Sequence, residues 1–267
     1  MNFKNKVVAI TGASSGIGKA LAMDALQRGA LVAVCARSLE KLQGIYAQHD
    51  KLLLVQADVS KKEDCFSFIQ TVEEKWGRVD VLINNAGNSM RALFEDLDVK
   101  VLEELMDVNF WGTVYTTKAA LGSIIKNKGT IVGVSSIAGY RGLPGRTGYS
   151  ASKFAMQGFL ESLRTELLYK DVNVMWVAPG FTASNIRNTA LSAKGNAQKE
   201  TPLDESKLMT AEECAMIILD GIEKRKRTIV MTSQGKLTVF LSKILPGFLD
   251  KMVFNHFAKE PDSPLKR

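Results

Sequence analysis

The sequence predicts an α/β fold: a single doubly wound parallel sheet of about seven strands, with helices on both faces. Three observations predict it. Short runs of Val, Ile, Leu and Ala alternate with helical patterns of roughly ten residues or more along the chain. The runs are continuously apolar, as strands buried on both sides require. A glycine-rich turn, TGASSGIG at 11–18, joins the first run to the first helix.

Each element follows from its pattern. Lys6–Thr11 (KVVAIT) is the first strand, and Gly16–Arg28 then carries Ile17, Leu21 and Ala25 at helical spacing. Leu31–Ala36 is a second strand and Leu39–Gln48 a helix. Leu52–Gln56 and Glu63–Trp76 are the next strand and helix. Val81–Asn84 is a fourth strand, before a long helical region over Val99–Lys126. Thr130–Val134 is the fifth strand, Tyr149–Tyr169 a helix and Val172–Val177 the sixth strand. Glu212–Lys224 is a helix and Thr228–Met231 a last short strand. Two stretches break the rhythm. Residues 181–210 are polar, and a connection this long is functional or mobile; we expect a mobile segment that meets a substrate. Residues 234–258 form an apolar, basic C-terminal extension with Pro246 inside it.

The composition is that of a globular protein. Of 267 residues, 46% are hydrophobic and 24% charged, enough apolar material for one large core. We expect residues 1–267 to form a single domain. No secretory signal and no transmembrane run is expected. Cys35, Cys65 and Cys214 are odd in number and scattered, which suits a reducing cytoplasm and points to neither a disulfide framework nor a zinc site. His49 and His256 are too isolated to suggest a metal. The net charge is +7, and the chain from Gly221 onward, with ten Lys/Arg and four Asp/Glu, holds +6 of it. No nucleic-acid motif accompanies that charge; a solvated basic face is expected.

The glycine turn has the context of a phosphate site. Gly12, Gly16 and Gly18 let the backbone bend and approach a ligand, and the following helix offers open N–H groups and a positive dipole end. Ser14, Ser15 and Ile17 lie in the same turn. NAD sites place an acidic residue at the end of the second strand. Here the chain reads CARS, with Arg37 in that region and no acid. A guanidinium suits a 2′-phosphate, so NADP(H) is expected over NAD(H).

TGASSGIG (11–18), ADV (57–59), NNAG (84–87), SS (135–136), YSASK (149–153) and PG (179–180) occur in the order and spacing of the short-chain dehydrogenase/reductases. The chain resembles that family over roughly residues 5 to 232 and is expected to share its Rossmann-like fold as one dinucleotide-binding and catalytic domain. The resemblance implies that Asp58 and Val59 flank the adenine and that Asn85, Ala86 and Gly87 line the back of the nucleotide site. It places Pro179 and Gly180 at the nicotinamide, with Thr182 and Ser184 as carboxamide contacts. The family more often has Val or Ile at the Thr182 position and Thr at the Ser184 position.

The resemblance also implies four catalytic residues: Asn109, Ser136, Tyr149 and Lys153. A Tyr hydroxyl loses its proton near pH 10, too high for acid–base work at neutrality. A Lys ammonium one helical turn away favours the phenolate; that is the expected purpose of the Tyr149–Lys153 spacing. Ser136 lies 13 residues before Tyr149, where the family has its catalytic serine, and is chosen over Ser135 to hold a carbonyl oxygen. Asn109 is expected to position a water and Lys153; its alternative is a residue that kinks or caps a helix. Tyr149 and Lys153 also count as cofactor contacts, Lys153 through the nicotinamide ribose. No metal is needed.

The expected substrate is a small ketone or alcohol, with contacts from Asn88–Leu93, Tyr140–Thr147 and 181–210. Met90, Leu93, Leu143 and Phe181 suggest a hydrophobic one. Arg141 and Arg146 are expected as surface charges, with contact to an acidic group as the alternative. The C-terminal extension is expected to dock on its own core or on a partner subunit, with a peripheral membrane contact as the less favoured reading. On helix 149–169, Ala155, Phe159 and Ser162 lie on a different side from Met156, Leu160, Leu163 and Leu167, which fits a homodimer or homotetramer. A catalytically silent NADP(H) sensor or scaffold is the competing function class.

Overall fold

The computed structural model describes residues 2–47, 49–183, 186–198, 208–260 and 263–266. Seven parallel strands form one sheet: β1 (Val7–Thr11), β2 (Leu31–Ala36), β3 (Leu52–Gln56), β4 (Val81–Asn84), β5 (Thr130–Val134), β6 (Asn173–Ala178) and β7 (Thr228–Val230). Their order across the sheet is β3-β2-β1-β4-β5-β6-β7. β1 pairs with β2 from Val7↔Leu31 to Thr11↔Cys35, and with β4 from Val8↔Val81 to Ile10↔Ile83. All five residues of β1 are buried, the condition that its unbroken apolar run predicts.

Helices cover both faces. Val8, Ile10, Val32 and Val34 point to one side, against α1 (Gly16–Gln27), α2 (Leu39–Ile45) and α7 (Ala211–Glu223). Val7, Ala9, Ala33 and Cys35 point to the other, against α3 (Lys62–Trp76), α5 (Gly112–Lys126) and α6 (Thr147–Glu166). The alternation is the two-residue period of a strand seen from both faces. The chain order reverses between β1 and β4, and ligands of such sheets lie in the crevice at that reversal.

Two expectations need correction in detail, and two stretches outside the alternating pattern take on defined structure. The helical region 99–126 is not continuous: α4 (Val99–Met106) and α5 are joined by a wide π turn over Asp107–Trp111. Asn109 sits in that turn, and its side chain bonds outward to other segments, which holds the local underwinding in place. α2 ends at Ile45, short of Gln48, which lies outside the described residues. Tyr46 turns extended there because its hydroxyl donates to the Ala13 carbonyl at 2.8 Å. Within 181–210, residues 186–198 are held by pairing: Arg91 and Leu191 share a backbone hydrogen bond, as do Leu191 and Ser89, and Gln198 reaches the Arg91 carbonyl. Residues 184–185 and 199–207 lie outside the described residues. The extension forms two helices, α8 (Ser233–Ile244) and α9 (Pro246–Ala258). Pro246 ends one and opens the other, since it lacks an N–H and fits a first helical turn.

Candidate active site

The carboxyl ends of the strands frame a cleft of about 830 Å³. Gly12, Ser14, Ser15, Gly16, Ile17 and Gly18 line one end. Gly12 holds a positive φ of 70°, and a Cβ there would lie 2.6 Å from the Ala86 Cα. A Cβ on Gly18 would lie 2.3 Å from the Gly12 carbonyl oxygen. Only glycine allows β1, the turn and β4 to approach this closely. The side chain of Ser15, the residue that caps α1, makes no capping hydrogen bond, and no acidic residue sits in the first turn. The N–H groups of that turn therefore face the cleft without a competing side chain, as an anion site requires.

Thr11 and Asn85 build the wall. The Thr11 hydroxyl accepts from the Asn85 and Ala86 amides at 3.1 and 3.0 Å, and Asn85 Nδ2 donates to the Thr11 and Gly12 carbonyls, both at 3.0 Å. Asn85 thus clamps the ends of β1 and β4, with Ala86 and Gly87 beside it on the cleft lining. Asp58 and Val59 also line the cleft. The Asp58 carboxylate is occupied locally, accepting from the Ser60 amide and hydroxyl at 3.0 and 2.8 Å.

Arg37 lies exposed at the end of β2 and lines the cleft. Lys41, in the first turn of α2, lines it as well. Sequence reasoning missed Lys41, whose only signal was its spacing of one helical turn from Arg37. Two cations at this corner suit a phosphate monoester more than a bare ribose hydroxyl.

Ser136, Tyr149 and Lys153 meet on the far wall of the same cleft. The Ser136 hydroxyl lies near the Tyr149 hydroxyl and favours its ionised form, and the Ser136 oxygen accepts from the Ala138 amide at 3.2 Å. Ser135 turns away: its hydroxyl is buried and accepts from Gln157 Nε2 at 2.8 Å. Lys153 is buried, with Nζ donating to the Val134 carbonyl at 2.9 Å and lying 5.8 Å from the Tyr149 ring centre. A side chain on Gly87 would lie 3.1 Å from Asn109 Oδ1 and 3.3 Å from Lys153 Nζ, so all these groups border one small volume.

The electrostatics differ from the expectation. Burial raises the Tyr149 hydroxyl above the usual tyrosine value, against the opposing effects of the nearby Ser136 hydroxyl and of the Arg146 and Arg187 charges. Burial lowers Lys153 to about 8. The Lys153 ammonium is aimed at the Val134 carbonyl, so in this structure the cations that favour the phenolate are the two arginines. Arg187 also lines the cleft; it sits in a polar stretch without pattern, and no sequence signal marked it.

Asn109 is fully buried and does not line the cleft. Its Oδ1 accepts from the Asn88 amide at 2.8 Å, and its Nδ2 donates to the Asn88 carbonyl at 3.0 Å and to Ser152 Oγ at 2.8 Å. It ties the π turn to the loop after β4 and to α6. Pro179, Gly180 and Thr182 line the cleft beyond β6. The Thr182 hydroxyl is turned onto the Gly180 carbonyl at 3.3 Å. Ser184 lies outside the described residues.

Arg141 and Arg146 are not solvated surface charges. Arg141 pairs with Asp250 in α9. Arg146 Nη2 reaches both Glu260 oxygens at 3.1 Å, and its guanidinium lies 4.5 Å from the Phe257 ring centre. Glu260 also pairs with Arg91 at 3.4 Å. These ion pairs fasten the C-terminal segment to the loops that border the cleft.

A doubly wound parallel sheet with an open helix N-terminus and a glycine turn at its reversal point is a nucleotide-binding fold. The chain belongs to the short-chain dehydrogenase family, whose sequence model matches residues 6–195, and is an oxidoreductase of the kind that uses NAD(P). It is similar to 11-beta-hydroxysteroid dehydrogenase-like 4A of Arabidopsis thaliana, 38% identical over 250 residues, covering 91% of this chain and 82% of that protein. A short chain dehydrogenase from Burkholderia cenocepacia J2315, solved in complex with NADP, shares the fold with a TM-score of 0.80 at 24% identity, over 95% of this chain and 99% of that one. A short chain dehydrogenase/reductase from Burkholderia phymatum, solved in complex with NAD, does so with a TM-score of 0.80 at 21% identity, over 93% of this chain and 96% of that one. Both dinucleotides thus occur on this fold.

Proposed function

We propose that the protein is an NADP(H)-dependent reductase and dehydrogenase that interconverts a hydrophobic ketone and its alcohol. The observation that carries this reading is that Ser136, Tyr149 and, one helical turn further on, Lys153 line the same cleft as the glycine turn. The turn fits a dinucleotide: its N–H groups are open, and a Cβ at Gly12 or Gly18 would close the cradle. The α1 N-terminus would hold the pyrophosphate and Arg37 with Lys41 the 2′-phosphate. When bound, NADP(H) supplies or accepts the hydride.

The chain's own groups handle the oxygen and its proton. Ser136 donates a hydrogen bond that fixes the carbonyl oxygen. Tyr149 gives that oxygen its proton in reduction and recovers it in oxidation. Lys153, held by the Val134 carbonyl, presents a cation to the ribose hydroxyls. Asn109 acts as a positioning residue by holding the π turn and the loop after β4 against α6. Leu143, Phe181, Ile186 and Leu191 line the substrate end, which supports an apolar substrate. The name of the Arabidopsis relative points to a steroid-like ring system as one such class.

We also infer a homodimer or homotetramer. Phe154 of α6 and Trp111, just before α5, are exposed on the outer face of that helix pair. The three cysteines are free and buried, which supports a reducing compartment such as the cytoplasm. Tyr149→Phe tests the chemistry: NADPH binding should persist while turnover on a panel of hydrophobic ketones falls at least about a thousandfold. Full turnover in that variant would overturn the mechanism, and tight NADPH binding without turnover in any wild-type assay would favour a sensor.

A further inference from the structure

α8 and α9 form a hinged helix pair whose inner side is spoken for. Leu249, Val253 and Phe257 bury that side of α9 against Leu143, Phe181 and Leu241. The outer side is apolar and uncovered. Leu237, Phe240 and Ile244 recur along one stripe of α8, and Leu245, Phe248 and Met252 follow as exposed apolar residues at the break and along α9. These six side chains are 42% to 60% exposed. A run of large apolar residues at this exposure exceeds what a solvated monomer surface carries by chance.

The charges around this face have one sign. Lys236 and Lys243 lie seven residues apart in α8 and so flank the stripe on the same edge, and Lys251 follows Phe248 by three in α9. The one carboxylate of the two helices, Asp250, is taken by Arg141. Lysine stems can lie along apolar side chains while their ammonium groups reach outward, the arrangement of a helix seated in a lipid interface. Two-fold pairing of the same face with a second copy would set these lysines against their own counterparts. Among the described residues no helix is long and apolar enough to cross a membrane, so the fit is to a surface.

We infer that the α8–α9 face docks on a lipid bilayer surface carrying anionic headgroups, with the Leu237–Phe240–Ile244–Phe248 ridge in the acyl boundary and Lys236, Lys243 and Lys251 at the phosphates. The docking side adjoins the substrate end of the cleft, because α9 packs on Leu143 and Phe181, which line it.

The test uses the full chain and vesicles of phosphatidylcholine with or without phosphatidylserine. Sedimentation should bring the protein down with the phosphatidylserine vesicles at low salt and less so as salt rises. The double variant Phe240→Ser/Phe248→Ser removes two exposed side chains and should lower partitioning about tenfold or more, with unchanged thermal unfolding. Lys236→Ala/Lys243→Ala/Lys251→Ala should abolish the preference for phosphatidylserine. Failure of the wild type to sediment with these vesicles at low salt overturns the inference, as does equal binding by the double-Phe variant. A wild-type dimer that the double-Phe variant dissociates, without vesicle binding, would show that a second copy covers the face. Sedimentation is read without turnover, so this result stands apart from the proposed chemistry.

Discussion

Glu260→Gln probes the tie between the C-terminal segment and the cleft. Glu260 is 6% exposed and is shared by Arg91 and Arg146, the latter through both carboxylate oxygens at 3.1 Å. The Arg91 and Arg146 side chains are 13% and 14% exposed, so solvent does little to compensate either guanidinium once the carboxylate is neutral. Removing one partner of a buried pair costs about 3–5 kcal/mol. Arg146 keeps a hydrogen bond to the Pro144 carbonyl at 3.3 Å and its seat on Phe257, which favours the low end, about 3 kcal/mol. For a chain of this size that lowers the melting temperature by about 6–12 °C. Urea and thermal unfolding of wild type and variant at neutral pH measure it. Arg146→Met added to Glu260→Gln should recover part of the loss, because it removes one stranded charge. A change below about 0.5 kcal/mol would mean that the cluster behaves as an exposed ion pair and would refute the reasoning.

Other outcomes follow from the same geometry. Arg37→Ala with Lys41→Ala should weaken NADPH binding at least about tenfold, roughly 1.4 kcal/mol, and leave NADH binding nearly unchanged; fluorescence titration of both dinucleotides checks it. In the oxidation direction the phenolate is the base, so the rate should rise with pH toward the elevated Tyr149 value, and Arg187→Met should push that limb higher by removing a cation that favours the phenolate; kcat/KM profiles against pH decide it. Lys153 carries a stability signature of defined sign. Unfolded, it keeps its proton to about 10.5, while the folded chain releases it near 8. Between those values the unfolded chain binds more protons, so stability rises with pH across that window by up to about 3 kcal/mol. Below it the burial penalty is complete. Lys153→Met should lack this rise when urea unfolding is followed from neutral to alkaline pH.

Much of the architecture was legible because its causes are local. β2, β3, β4 and β5 have the bounds predicted for them: β2, β4 and β5 are buried interior strands and read as apolar runs, and the half-buried edge strand β3 is a short apolar run as well. The glycine turn was legible for a similar reason: only glycine serves where backbone meets backbone, and the helix that follows is visible in its spacing. The Tyr149–Lys153 and Ser136 positions were readable as a family pattern, and they do share one cleft.

Where the reading fell short, the cause was contact between distant segments. The spacing of Tyr149 and Lys153 implied that the lysine tunes the phenol. In the folded chain the Val134 carbonyl, at the end of β5, captures the ammonium, and Arg146 and Arg187 supply the favourable field. Arg146 looked like a surface charge because its partner, Glu260, lies 114 residues further on. Arg187 had no pattern to mark it and Lys41 only its spacing from Arg37, for a single cation in a polar stretch looks the same whether it faces solvent or a cleft. By itself the sequence determined the strands, the phosphate turn and the identity of the chemical groups, because each is written in neighbouring residues. Tertiary structure alone decided which charges those groups feel, where the C-terminal helices fasten and which apolar face they leave bare, because long-range packing sets dielectric, distance and exposure together.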